Sequence, residues 1–131
     1  MELTYPLSAA GRDAMHTASG RRVSEITLEA VLAGEVGPED VRVSPETLLL
    51  QAGFAERDGK PQLAENLRRG AELVSFTDGE LLRFYEMLRP GRSSAAELDE
   101  LAVTLAARSA HRSADLVREA RAAYVRRGLI A

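Results

Sequence analysis

Two histidines, His16 and His111, are the only imidazoles in this 131-residue chain, and 95 positions separate them. Each has one carboxylate at helical spacing, Asp13 before His16 and Asp115 after His111. Zinc needs three or four protein ligands, so one histidine with one acid does not read as a metal site. Cysteine is absent, which removes disulfides, thiolate metal sites and thiol nucleophiles. Carboxylates are plentiful, but Glu97, Asp99 and Glu100 fall at a helix start, where acids complement the dipole. A general acid needs desolvation to raise its pKa, and no segment reads as a buried carboxyl. The glycines follow neither dinucleotide-fold nor phosphate-loop spacing. Ser24, Ser44 and Ser94 are accounted for by caps and turns. Arg68 and Arg69 on the second of two helices joined across Asp58–Pro61 could belong to a DNA-reading helix pair. Glu65 and Glu72 interrupt that basic face, and the overall charge is unfavourable for phosphate.

The elements that would carry these residues are all helical. Residues 1–23 lack helical periodicity and are expected as an extended N-terminal arm, with residues 24–131 forming a helical domain. Tyr5-Pro6-Leu7 is extended by the restriction proline puts on its neighbour, and Tyr5 and Leu7 could anchor the arm on its own domain or on a partner. Thr27 caps a short helix over Leu28–Ala33, with Gly34 as its left-handed stop. Ser44-Pro45-Glu46 starts the next, Pro45–Asp58. Leu48, Leu49 and Leu50 give that helix a wide apolar arc, predicting burial on more than one side. Gly53 inside it predicts a close approach.

A helix over Pro61–Val74 should turn Leu63, Leu67, Gly70 and Val74 inward. Thr77 to Glu80 and Ser94 to Glu97 are capping boxes that open the next two helices. Leu98, Leu101, Ala102 and Leu105 mark a regular amphipathic face. The last helix is expected from Ala114 to Arg127, with Leu116, Val117, Ala120 and Tyr124 inward and Gly128 as its stop. No strand or internal repeat is legible. The expectation is an all-α fold of five or six short helices in a compact bundle.

Composition bounds the partners. The net charge is −3, with −4 in residues 1–60 and +1 in residues 61–131, so neither half is a basic arm for nucleic acid. Alanine fills 21 positions and leucine 18, and aromatics make up 5%. A core of such small units favours close-packed helices stabilised further by a partner. Sixteen of the 17 basic residues are arginine, a bias that suits bidentate contacts and that a GC-rich genome would also produce. No run approaches a membrane span, and no signal-peptide layout appears, so a cytoplasmic protein is expected.

Motifs spread along the chain resemble one family, the small subunits of adenosylcobalamin-dependent diol and glycerol dehydratases. They are Tyr5-Pro6-Leu7, the Ile26–Leu48 segment, Gln51-Ala52, Leu63-Ala-Glu-Asn-Leu-Arg-Arg69, Ala71-Glu-Leu73, Tyr85, Leu88-Arg-Pro90, Arg92, Val117-Arg-Glu-Ala120 and Tyr124. Gly34 to Val41 and Arg92 to Ser94 look slightly more like the glycerol enzymes. Two stretches depart from the family pattern, Val74-Ser-Phe-Thr77 and Ala106 to Ser113. The long N-terminal extension linked to microcompartment packaging is also missing, which points to a free cytoplasmic complex.

The resemblance implies an all-α subunit without catalytic residues in a dimer of heterotrimers with large and medium subunits. It implies that adenosylcobalamin is held by those other subunits and none by this chain. The holoenzyme would dehydrate 1,2-diols, propane-1,2-diol or glycerol, to aldehydes by radical chemistry. Tyr5, Leu7, Arg42, Leu50, Phe54, Arg89 and Arg92 are the expected docking residues, chosen as apolar anchors or bidentate arginines. The competing expectation is a stand-alone helical adaptor or regulator without enzyme activity.

Overall fold

Four side-chain oxygens set the starts of three longer helices and one short one at the positions their sequences specify. In the computed structural model, which describes residues 3–131, Ser44, Thr77 and Ser94 accept from Thr47, Glu80 and Glu97 N–H groups at 3.4, 3.2 and 3.2 Å. Thr27 does the same for Ala30 at 3.1 Å. These caps satisfy amides that have no partner inside their helices. Seven α-helices result: α1 Ala9–Asp13, α2 Leu28–Leu32, α3 Pro45–Arg57, α4 Pro61–Leu73, α5 Asp78–Leu88, α6 Ala95–Ala107 and α7 His111–Arg126. Single 3₁₀ turns stand at Val23–Glu25 and Pro38–Val41. No strand forms among the described residues, so the fold is all-α.

Helix α1 lies inside the stretch expected to be an extended arm, whose residues 1 and 2 fall outside the described residues. It spans five residues, too few for periodicity to register, and Ser8 caps it through Gly11 N–H at 3.0 Å. Its backbone then turns through Gly20 (φ +89°) into a one-pair bridge between His16 and Arg22.

The chain divides into two compact units, one ending at Ala71 and the other running Glu72–Ala131. In the first, Ala52, Ala55 and Ala64 are buried together with Leu67 against them. The inner residue of α4 is therefore Ala64, while Leu63 is exposed. Ala64 is fully enclosed in that cluster, where a leucine would not fit without displacing its neighbours. Arg68 ties α4 to α3, reaching Glu56 at 2.5 Å and Glu65 at 3.2 Å. Arg69 bonds Asn66, so both arginines of the DNA-reading alternative are engaged within α3 and α4.

The second unit packs α5, α6 and α7 around Phe76, Leu98, Leu101, Ala102, Leu105, Ala110, Ala114 and Val117. The four residues expected on the inner face of α6 are all buried. On α7 Ser113, Ala114 and Val117 are buried, Tyr124 packs against the core as expected, Ala120 is half-buried, and Leu116 is exposed. Helix α7 also begins at His111, three residues before the expected start. Its cap comes from far along the chain: the Glu72 carboxylate accepts from Arg112 N–H at 3.0 Å and from Ser113 N–H and Oγ at 2.9 Å each. The Tyr124 hydroxyl closes the unit by donating to the Leu88 carbonyl at 2.6 Å.

Candidate functional site

The groups with chemical potential are dispersed and already engaged. His16 and His111 are both exposed, one beside the Arg22 bridge and the other in the first turn of α7. Glu97 closes its capping box onto Ser94 N–H at 2.8 Å. Asp99 pairs with Arg121 at 3.2 Å and Asp115 with Arg118 at 2.8 Å. Among the described residues no three His, Cys, Asp or Glu side chains come together as a metal cage.

Among the described residues one carboxylate is buried, contrary to the expectation that none would be. Asp40 is 5% exposed. Ser19 Oγ donates to its Oδ1 at 2.5 Å, Gly37 N–H donates to Oδ2 at 2.9 Å, and Arg21 Nε lies 3.4 Å away. The Ser19 and Gly37 donors hold the carboxyl below its usual range, and Arg21 adds to them against the opposing effect of burial. A general acid at neutral pH needs the opposite shift. Asp40 instead stitches the turn at residues 17–21 to the Pro38–Val41 turn, and Arg21 Nη2 extends the stitch to the Glu35 carbonyl at 2.8 Å.

Four of the expected docking residues do converge. Tyr5, Leu7, Leu50 and Phe54 line one groove of about 1060 Å³ in the first unit, with Leu63 and Leu67 on its α4 side. The Tyr5 and Phe54 rings meet at 5.9 Å between centroids, tilted by 56°. The Arg57 guanidinium covers the Phe54 ring at 5.1 Å. The arm is thus laid on its own α3, with Tyr5 still 80% exposed on the outside.

The wide leucine arc of α3 has a matching explanation. Ala52 and Ala55 take the buried side, Leu48 and Leu50 are half-buried, and Leu49 is exposed. Burial on both sides is therefore not reached within this chain. A Cβ at Gly53 would meet only Arg57 Nη1 at 3.7 Å, so no internal group approaches there.

The arginines behave differently from one another. Arg89 and Arg92 share one acid, Glu86, at 3.1 and 3.4 Å, so both are committed to the end of α5. Arg42 is exposed and makes no ion pair among the described residues. Sequence reasoning passed over a further group, the aliphatic side chains of α2: Leu28, Val31 and Leu32 are all exposed. Their i, i+3, i+4 spacing was a visible signal, since it puts all three on one helical face.

No helix among the described residues is long and apolar enough to cross a membrane. Compared with known proteins, the chain matches the dehydratase small subunit family across residues 1–131. It is 42% identical over 124 residues to the propanediol dehydratase small subunit of Citrobacter freundii. The identity to the corresponding subunit of Salmonella typhimurium is 41% over the same length. In both comparisons the matched stretch covers 94% of this chain and 72% of the relative.

Proposed function

The chain belongs to the dehydratase small-subunit family, and we propose from that premise that it is the non-catalytic small subunit of an adenosylcobalamin-dependent diol dehydratase. The observation that carries this reading is the extent of the match, which runs the length of the chain rather than over one helix pair. The substrate class is a 1,2-diol, in line with the propanediol named for both relatives. The product is an aldehyde, and the complex works in the cytoplasm.

On this reading the corrinoid and the substrate are assigned to the large and medium subunits, as membership of the family implies, and no residue of this chain is assigned to either. What this chain contributes is surface: a folded all-α body that docks on the catalytic subunits and stabilises their assembly. The alanine-rich cores of both units favour that role, because small side chains leave a thin margin of independent stability.

Reconstitution tests it. Large and medium subunits purified without this chain should form an unstable or insoluble complex with little cobalamin-dependent diol dehydration. Adding the chain should restore both activity and a single complex on gel filtration. Full activity and full stability in its absence would overturn the assignment.

A further inference from the structure

Helix α2 is held by its ends rather than by its packing. It has five residues, far below the length at which a helix persists alone. Only Ala30 is buried. At the N-terminus Thr27 Oγ1 accepts from Ala30 N–H. At the C-terminus Gly34 takes φ +75°, with its N–H on the Val31 carbonyl at 3.1 Å and Glu35 N–H on the Ala30 carbonyl at 2.9 Å. Arg21, anchored on buried Asp40, fixes the Glu35 carbonyl from outside. These backbone devices spend no apolar surface. They leave Leu28 at 69%, Val31 at 49% and Leu32 at 79% exposure on one face.

The segment that carries that face is acidic on balance, and its nearest cation, Arg21, is committed to Asp40 and the Glu35 carbonyl. Glu29, Glu35 and Glu39 are exposed in the same segment, and none makes an ion pair among the described residues. Arg42 is the one basic residue between Ile26 and Leu48. Two copies of this chain meeting through α2 would set these acids against one another, and like charges across a contact disfavour it. A surface with an apolar centre and a basic rim meets both features.

We infer that the α2 face, Leu28, Val31 and Leu32 with the acids Glu29 and Glu35 beside it in the chain, is the contact through which this chain docks on another subunit of the dehydratase. The facing surface is apolar at its centre and carries arginine or lysine at its edge. The inference rests on the reading of the chain as a dehydratase small subunit and names where that subunit is gripped. It separates this face from the groove at Tyr5 and Phe54, which the chain's own arm helps to line.

The test co-expresses the large and medium subunits of the same dehydratase with tagged parent and variant chains, and reads the competition between them for the assembled complex. Leu28→Ser/Leu32→Ser should keep the helical circular dichroism and melting temperature of the parent, because both side chains are exposed in the free chain. Its share of the assembled complex should fall at least tenfold below the parent's. Glu29→Lys/Glu35→Lys, which keeps the apolar face, should also lose share to the parent. Val103→Ser, an exposed aliphatic on α6, should bind as the parent does.

Binding of the double-serine variant equal to the parent's would overturn the inference while leaving the subunit assignment in place. A parent chain that does not bind the complex at all would overturn the assignment and the inference with it. A parent dimer that the double-serine variant converts to monomer would show the face to be covered by a second copy, which also overturns it.

Discussion

The Arg108 guanidinium lies over the Phe76 ring, 3.7 Å from its centroid. The same guanidinium donates to the Ser75 carbonyl at 3.0 Å and pairs with Glu80, the closing residue of the Thr77 capping box. Phe76 is buried against Phe84, ring edge to face, at 5.4 Å. One planar cation thus covers an aromatic of the core, satisfies a carbonyl and anchors a helix cap. An ammonium offers a point charge and cannot do all three at once. Arg108→Lys is therefore expected to lose most of what Arg108→Ala loses, about 1 kcal/mol for the stacked contact. Urea titration of the three proteins checks this, and full retention by the lysine variant would contradict it.

Glu72 supplies a cap that the sequence around α7 lacks. Ala110 stands at the N-cap position with no side-chain acceptor, and the carboxylate 40 residues upstream takes the Arg112 and Ser113 amides. Loss of an N-cap acceptor costs about 1 kcal/mol. Glu72→Ala should lower stability by that amount and release the amides at Arg112 and Ser113 to fast hydrogen exchange. Glu72→Gln keeps an acceptor oxygen and should recover part of the loss. Unchanged exchange at Arg112 and Ser113 in the alanine variant would remove Glu72 from this role.

Asp40 gives the first unit a pH dependence of definite sign. Its carboxyl is lowered from the ordinary value by the Ser19 hydroxyl first and the Gly37 amide second. A group whose folded pKa is depressed adds stability at pH above its unfolded value, about 3.9 for aspartate. That stability is lost as the pH falls through the lower, folded value. Acid below pH 4 should consequently free the turn at residues 17–21 from the Pro38–Val41 turn. Asp40→Asn should show the same loosening at pH 7 and no further step in acid. Amide exchange at Gly37 and proteolysis near Gly20 report it; an acid profile identical in the two proteins would contradict it.

What could be read from the sequence, and what could not, follows the range of the interactions. Thr27, Ser44, Thr77 and Ser94 are caps whose partners lie three residues away, and Gly34, Gly59 and Gly128 take positive φ at helix ends. Such signals are local and were legible. The inner face of α6 was legible because leucines repeat at helical spacing over two turns. Ala64 was not, since an alanine carries no pattern and its burial depends on how closely α3 approaches. The start of α7 was set by Glu72, which no local rule connects to His111. Arg108 and Phe76 link the two stretches that depart from the family pattern, Val74–Thr77 and Ala106–Ser113, so two deviations that looked separate belong to one contact. Of the docking candidates, Tyr5, Leu7, Leu50 and Phe54 line one groove, of which the chain's own arm forms a wall. The exposure of the α2 face is not legible from spacing, because three aliphatics at i, i+3 and i+4 fit a buried stripe as well as an exposed one. Only exposure tells the two apart.

Gly53 separates what the free chain needs from what an assembled complex needs. It lies in the interior of α3, where glycine costs about 1 kcal/mol against alanine. In this structure an added methyl would have only Arg57 Nη1 within 4 Å, at ordinary contact distance. Gly53→Ala should therefore stabilise the isolated chain by about 0.5–1 kcal/mol. That is a rise of several degrees in melting temperature for a chain of this size. A neutral or destabilising result would mean that something inside the chain already fills the space. Gly53 is also next to Phe54 and one turn from Leu49, which is exposed. If the open side of α3 stays open in the holoenzyme, the alanine variant should assemble with the large and medium subunits as the parent does. Stabilisation of the free chain together with weakened assembly would place a partner backbone against Gly53 and make α3 a second contact beside α2.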